Sequence, residues 1–396
     1  MSLAGKEITV LGAGIAGLAS ALALARHGAQ VTVREQADEI REVGAGLQIS
    51  PNGARVLMAL GLGSQMKAAA LRADAVELRD GRDASLVLRL DLAALRPDQP
   101  YYFLHRADLI AILAKAAQAA GVHIVLGQKV ETVDLSGPRP ILAMQHGAPC
   151  WADLLIGADG LHSAARAALN GVQTPFFTGQ VAWRALIPAE ADAAPVAEVH
   201  MGAGRHLVSY PLRGARLRNI VAVEERKSWA AESWSQRDDP QALRRAFSGF
   251  SPRVRRWLDQ VQEPHLWGLF RHPVAPVWTK SLPQGAVAIL GDAAHPTLPF
   301  LAQGASMGLE DAWVLADLLA RKPQAEALAA YQATRAPRCA RIVAAATGNA
   351  RAYHLSGLSR SLAHAGLRLG GKIAPALPLQ RFDWLYGFDV TAGSGV

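Results

Sequence analysis

Gly12-Ala13-Gly14-Ile15-Ala16-Gly17 stands between a short apolar run, Glu7–Leu11, and an alanine- and leucine-rich run, Ile15–His27. A second apolar segment, Gln30–Arg34, follows and ends at Glu35. Strand, glycine-rich turn, helix and strand in that order are a βαβ unit. The first glycine permits the tight turn, the second lets backbone approach a pyrophosphate, and the third lets helix and strand pack closely. The helix start supplies unpaired N–H groups and the positive end of its dipole. A carboxylate at Glu35 can accept hydrogen bonds from ribose hydroxyls, so the stretch reads as a dinucleotide cradle.

Two further apolar runs each end in an aspartate. Leu154-Leu155-Ile156-Gly157-Ala158-Asp159-Gly160 is the first, and Ala288-Ile289-Leu290-Gly291-Asp292-Ala293-Ala294-His295 the second. An Asp at the carboxyl end of a buried strand is placed to bond polyol hydroxyls. A helical pattern over Arg106–Ala120 runs into Gly121 and a strand over Val122–Leu126. After Pro175 the pattern changes to alternating segments between Val181 and Glu225, which predict an antiparallel sheet. Asp239–Val261 reads as an Arg-rich helical stretch, Ala305–Ala320 as a helix, and Leu328–Leu369 as helical.

These segments predict an α/β protein with a Rossmann-like dinucleotide-binding domain, an interleaved antiparallel β-sheet substrate domain and C-terminal helices. The expected division is 1–175 with 270–330 for the nucleotide domain, 176–269 for the sheet, joined by strands from 70–105, and 331–396 for the helical end.

Composition narrows the function. Hydrophobic residues make up 51 % of the 396, charged residues 19 %, and mean hydropathy is +0.12, enough for a large buried core. The net charge of +8 favours anionic ligands, yet the arginines are scattered without a basic tail, which argues against nucleic acid. Cys150 and Cys339 are far apart, excluding a disulfide framework and a C-x-x-C redox pair. Apolar runs are too short for a membrane span and no secretory signal is evident, so a cytoplasmic protein is expected.

Taken together, Gly12–Gly17 with Glu35, Gly157-Ala158-Asp159-Gly160 with Ser163 and Arg166, and Gly291-Asp292 with His295-Pro296, Pro299, Gly304 and Glu310-Asp311-Ala312 resemble the class A FAD-dependent aromatic hydroxylases. Leu104–Leu109, His206–Leu212 and Leu301–Ala305 are similar to the branch containing 3-hydroxybenzoate 6-hydroxylase, salicylate hydroxylase and 6-hydroxynicotinate 3-monooxygenase. Ser306 stands where many members have Asn, and Trp183–Pro188 lacks the second Trp of the related halogenases.

The resemblance implies FAD as cofactor, NADH or NADPH as reductant and O2 as co-substrate. A flavin C4a-hydroperoxide would then hydroxylate a small aromatic acid bearing a hydroxyl group. It assigns FAD contacts to Gly12, Gly14, Ala16, Gly17, Glu35, Gly46, Arg106, Val130, Asp159, Asp292, Pro299, Gly304 and Ala305. Asp159 is also given a structural and reductant-binding role. Only one nucleotide fingerprint is present, so the nicotinamide must approach across an open groove.

His206 and Tyr210 lie four apart in a predicted strand and share a face, with Val208 between them. An imidazole there can accept a phenol proton and a tyrosine hydroxyl can bond the substrate or relay a proton. Gln303 is expected on the opposite wall. Phe300 is a candidate stacking residue, while Trp183 reads as packing and Arg253, Arg255 and Arg256 as a solvated helix face. His272 and His295 have no metal-ligand partner at useful spacing, so no metal is expected. Arg381–Tyr386 is apolar enough to dock a tail or a partner subunit, and a homodimer is left open. A flavin oxidase or reductase of a non-aromatic substrate, and a non-enzymatic flavin sensor, fit the same cradle.

Overall fold

The computed structural model describes residues 3–40, 45–226 and 236–392. Its first layer is a six-stranded sheet in the order Thr279–Leu282, Gly285–Ile289, Leu154–Gly157, Glu7–Leu11, Gln30–Arg34, His123–Val125. Every pairing is parallel except that of the edge strand Thr279–Leu282. The central strands are apolar throughout because helices cover both faces. The helix Ile15–Arg26 is buried along most of its length against the helix Gly304–Arg321. That contact is close because Gly291 and Gly308 have no side chain: a Cβ on either would lie 2.9 Å from Cβ of Ala16.

The second layer is a seven-stranded sheet ordered His265–Arg271, Phe176–Pro188, Leu217–Glu225, Arg205–Leu212, Val196–Gly202, Ala75–Asp80, Leu86–Asp91. Ala75–Asp80 pairs in parallel with Val196–Gly202 and every other pairing is antiparallel. The two strands from 75–91 thus complete the sheet whose other strands lie at 176–271.

Some boundaries differ from the expected ones. Asp239–Val261 is two short helices, Pro240–Ala246 and Pro252–Asp259, interrupted because Ser251 caps the second and Pro252 opens it. The C-terminal region is a helix Gln324–Tyr353 and a second helix Gly357–Ile373, broken at Gly357 with φ +54°. The expected division at 330/331 falls inside the first of these, which packs on both the 304–321 helix and the Pro299–Leu301 turn. Arg253 is partly solvated, its side chain 42 % exposed while it pairs with buried Glu198 at 2.6 Å and lies over the Trp257 ring; Arg255 and Arg256 are exposed. Trp183 is fully buried and donates to Asp238 at 2.7 Å, a packing role. The Arg381–Tyr386 segment docks on its own chain, with Trp384 under Arg341 and Leu385 buried.

Candidate active site

The three glycine motifs meet at the carboxyl ends of adjacent strands. Leu11, Gly157 and Ile289 stand side by side in register. Ala158 N–H donates to Leu11 O at 2.9 Å and Leu290 N–H to Gly157 O at 3.0 Å. Gly12 has φ +94°, and a Cβ on it would sit 2.5 Å from Ala158 O. A Cβ on Gly17 would sit 2.0 Å from Gly12 O. Gly14 differs from both, since nothing in the chain lies within 4 Å of where its Cβ would be. Of these three glycines, Gly14 is the one that faces open space, in front of a helix start that no side chain caps.

Glu35 closes one end of this cradle. Its carboxylate accepts from Ala13 N–H at 2.6 Å and from Ala37 N–H at 2.9 Å, which holds it beside the turn. Gln128 N–H donates to Glu35 O at 2.7 Å, bringing the 128–130 segment and Val130 to the same end. Arg106 opens the helix Arg106–Ala119, and its N–H donates to Ala45 O at 2.9 Å. The neighbouring Gly46 donates to Asn219 Oδ1 at 2.9 Å, and a Cβ on it would lie 2.8 Å from the Tyr210 ring. Gly46 therefore joins the cradle to the large sheet.

The two aspartates behave differently. Asp159 is half-buried, and its carboxylate caps the helix Ala164–Asn170, accepting from Ser163 Oγ and from Ala164 N–H at 2.8 Å. Burial raises its pKa while these bonds oppose the rise. Asp292 is exposed in the turn Gly291–Ala293. Beyond it Pro299 begins a second turn, Ala302 takes a left-handed φ of +52°, and the helix Gly304–Arg321 starts at Gly304 and Ala305 without a side-chain cap. Open N–H groups at such a helix start favour negative charge.

Gln303 is not a wall of the ring pocket. It is buried, its Nε2 donates to Ser50 Oγ at 2.9 Å and to Leu301 O at 3.3 Å, and its Oε1 accepts from Asn52 at 3.2 Å. Three of an amide's four bonding positions are thereby used, and the residue positions the turn before the helix.

The sheet face below this turn carries three rungs. His206 pairs with Val223 and through it Ala182, Val208 with Val221 and Arg184, Tyr210 with Asn219 and Leu186. Leu298 and Phe300 from the Pro299 turn pack on Ala182, Val223 and Trp267 of the same face. The Phe300 ring stands 5.6 Å from His206 at a tilted angle of 59°. Tyr210 is buried beside Phe103 and bonded to Gln48, and burial raises its pKa.

His206 is buried and its Nδ1 lies 2.7 Å from Nε2 of His354, whose Nδ1 lies 2.7 Å from Oε1 of Glu225. Burial lowers both imidazole pKa values, so both rings are neutral at pH 7; the neighbouring His354 lowers that of His206 further, and Glu225 opposes the fall in His354. A carboxylate only accepts, so His354 carries its proton on Nδ1. Its Nε2 then accepts, so His206 carries its proton on Nδ1, and the lone pair of His206 stands on Nε2. The side chain of Glu225 is 54 % exposed, so the line of groups ends in water.

His354, Glu225 and Arg184 were not among the sequence candidates. Arg184 carries its guanidinium 4.5 Å from the Trp267 ring centroid, and its charge opposes part of the rise that burial gives the Tyr210 pKa. Only strand register could have found it; His354 is 148 residues from His206 and gave no local signal.

His295 does have partners, contrary to the sequence reading. Its Nε2 bonds Asp311, and these two lie with Cys339 in a buried cluster of ligand-type atoms. Both carboxylate oxygens of Asp311 are already used, because Arg335 Nε also donates to it at 2.8 Å, and Arg338 bonds the adjacent Glu310 at 2.8 Å. Although burial pushes upward, the charges of His295 and Arg335 hold the Asp311 pKa down at about 2. Arg335 supplies the positive charge that a cation would bring, so the cluster is an ion-pair lattice under the Gly291 turn, which Asp311 fixes by accepting from Gly291 N–H at 3.1 Å.

A family described as FAD binding domain matches residues 6–346. The chain is 35 % identical over 394 residues to the 3-amino-4-hydroxybenzoate 2-monooxygenase PtnB3 of Streptomyces platensis, covering 97 % of this chain and 96 % of that one. It is 34 % identical over 397 residues to the 3-hydroxybenzoate 6-hydroxylase of Polaromonas naphthalenivorans (strain CJ2), with the same coverage. Among solved structures, a salicylate hydroxylase substrate complex superposes with TM-score 0.79 at 26 % identity over 98 % of this chain and 96 % of that one. Klebsiella pneumoniae HpxO complexed with FAD and uric acid superposes with TM-score 0.80 at 25 % identity, over 95 % and 96 %.

Proposed function

The chain belongs to the FAD-dependent aromatic monooxygenases, and from that premise we propose that its substrate is a small aromatic acid carrying a phenolic hydroxyl. The residues present fit the cofactor: open space at Gly14, a bare helix start, and carboxylates at both ends of the cradle. FAD bound there and reduced by NAD(P)H would activate O2, one oxygen atom of which goes to the ring and the other to water. We assign Glu35 and Val130 to its adenosine end, Arg106 and Asp292 to its middle, and Pro299, Gly304 and Ala305 to the ring end.

The chain's own contribution is the ring face. His206 Nε2 takes the phenol proton, which raises electron density ortho and para to the oxygen and makes the ring the nucleophile. Arg184, one rung away, takes the carboxylate; guanidinium and carboxylate are matched in shape and charge. Tyr210 orients the ring, and Phe300 covers it and excludes water. The single observation that carries this reading is the Glu225–His354–His206 line, because its bond directions force the His206 lone pair onto Nε2.

Among the described residues no helix is long and apolar enough to cross a membrane. Use of NAD(P)H and the two unpaired cysteines support the cytoplasm as its location. The test is to present hydroxybenzoates and aminohydroxybenzoates to the FAD-loaded enzyme with NADH or NADPH. Stimulated reductant consumption with a product heavier by one oxygen is expected. Consumption that no phenolic acid alters contradicts the reading.

A further inference from the structure

The helix Gly357–Ile373 is held to the large sheet by one side only. Arg360 and His364 bond Asp80, the latter at 3.4 Å, and Leu367 packs with Val87 and Val199. On the opposite side Leu358, Leu362, Leu369 and Ile373, with Leu377 just beyond, are between 57 % and 80 % exposed. Monomeric proteins seldom show a contiguous apolar patch above a few hundred Å² without a partner.

The order of this stripe names the partner. Leu358, Leu362, Ala365, Gly366, Leu369 and Ile373 fall on one helix face. Their spacing, four, three, one, three, four, reads the same in both directions. Laid antiparallel against itself, the helix sets Leu358 opposite Ile373, Leu362 opposite Leu369, and Ala365 opposite Gly366. That is the self-complementarity a twofold interface requires. The small pair falls at the crossing point, and nothing in the chain lies within 4 Å of a Cβ on Gly366, so two backbones can approach closely there.

Charge agrees with this register. No acidic residue occurs between Glu326 and Asp383, so a badly chosen pairing would oppose cations. The antiparallel register instead sets Arg368 opposite Ala363 and Lys372 opposite Ser359.

We propose that this stripe is occupied by the same stripe of a second copy of the chain, forming an antiparallel helix pair about a twofold axis between Ala365 and Gly366. The proposal is independent of the substrate. It is tested by sedimentation velocity of the FAD-loaded protein at micromolar concentration, with flavin absorbance reporting the fold. Wild type is expected as a dimer, and Leu362→Glu or Leu369→Lys alone is expected to weaken self-association at least tenfold. The double variant is expected to restore it, since the two new charges face each other twice across the axis. Gly366→Leu, which adds only bulk at the crossing, is expected to give monomer. A monomeric wild type overturns the proposal, as does a double variant no better than the singles or a dimer indifferent to Gly366→Leu. Wild type that stays monomeric and cosediments with phosphatidylserine vesicles through Leu362 overturns it in favour of a lipid surface.

Discussion

His206 and His354 are joined nitrogen to nitrogen, Nδ1 to Nε2, at 2.7 Å, by a hydrogen bond whose direction is fixed by a carboxylate beyond the second ring. The strand Arg205–Leu212 supplies one imidazole and the end of the helix Gln324–Tyr353 the other. Two distant segments thus set the protonation of one candidate base.

Removing that base has a pH-dependent cost. His206→Ala should lower hydroxylation at pH 7 by about 10²–10⁴-fold, the range for a general base, with FAD retained. The loss should shrink as pH rises towards the phenol's own pKa of about 10, where no base is needed. His354→Phe should act in the same direction. Rates and pH profiles equal to wild type would remove the role.

The same pair makes stability depend on acid. Both imidazoles have folded-state pKa values below the usual value of about 6.5. Below pH 6.5 the unfolded chain binds protons that the folded chain refuses. Their contribution is therefore whole above pH 6.5 and declines as pH falls through the lowered folded values. His295 has the opposite sign, since its pKa is raised: it supports folding below 6.5 and the support fades as pH rises through that raised value. Urea midpoints between pH 7 and 5 should fall less in His206→Asn/His354→Asn than in wild type.

The glycines of the cradle separate folding from binding. Gly14→Ala meets no protein atom, so the variant should fold with wild-type thermal stability yet bind FAD at least tenfold more weakly. Gly17→Ala drives a Cβ into Gly12 O and should lose stability with or without FAD. Flavin titration and thermal melts of both variants check this.

The buried ion lattice should be costly to break. Arg335 is fully buried between Glu310 and Asp311. Arg335→Met leaves two carboxylates short of a partner and should destabilise the protein by about 3–5 kcal/mol, read by urea denaturation.

Arg184→Met should raise KM for the aromatic acid ten- to a hundredfold with a smaller change in kcat, and the penalty should vanish for substrates lacking the carboxylate. An unchanged KM would move the carboxylate elsewhere.

The parts of this protein that were legible in the sequence are those built from local backbone rules. Glycines where no Cβ fits, an Asp after an apolar strand, and alternation over Arg205–Tyr210 each carry their meaning within ten residues. What was not legible is what register and long-range packing decide. Arg184 reaches the ring face only because Val221 lies between it and Val208 in the sheet. His354 comes from the helical end, and the His295–Asp311 pair is closed by a helix turning back beneath its own preceding loop. Gln303 was misplaced for the same reason, because Ser50 and Asn52, some 250 residues earlier, claim its amide.

The proposed reaction requires oxygen to reach the ring from a flavin held by Gly12–Gly17, Glu35 and Asp292. The direct measurement is turnover of the responding phenolic acid under ¹⁸O2 with mass analysis of the product. One ¹⁸O atom in each product molecule, with one NAD(P)H consumed, is the predicted result. Product carrying only solvent oxygen, or all the oxygen recovered as hydrogen peroxide with the ring unchanged, would contradict it.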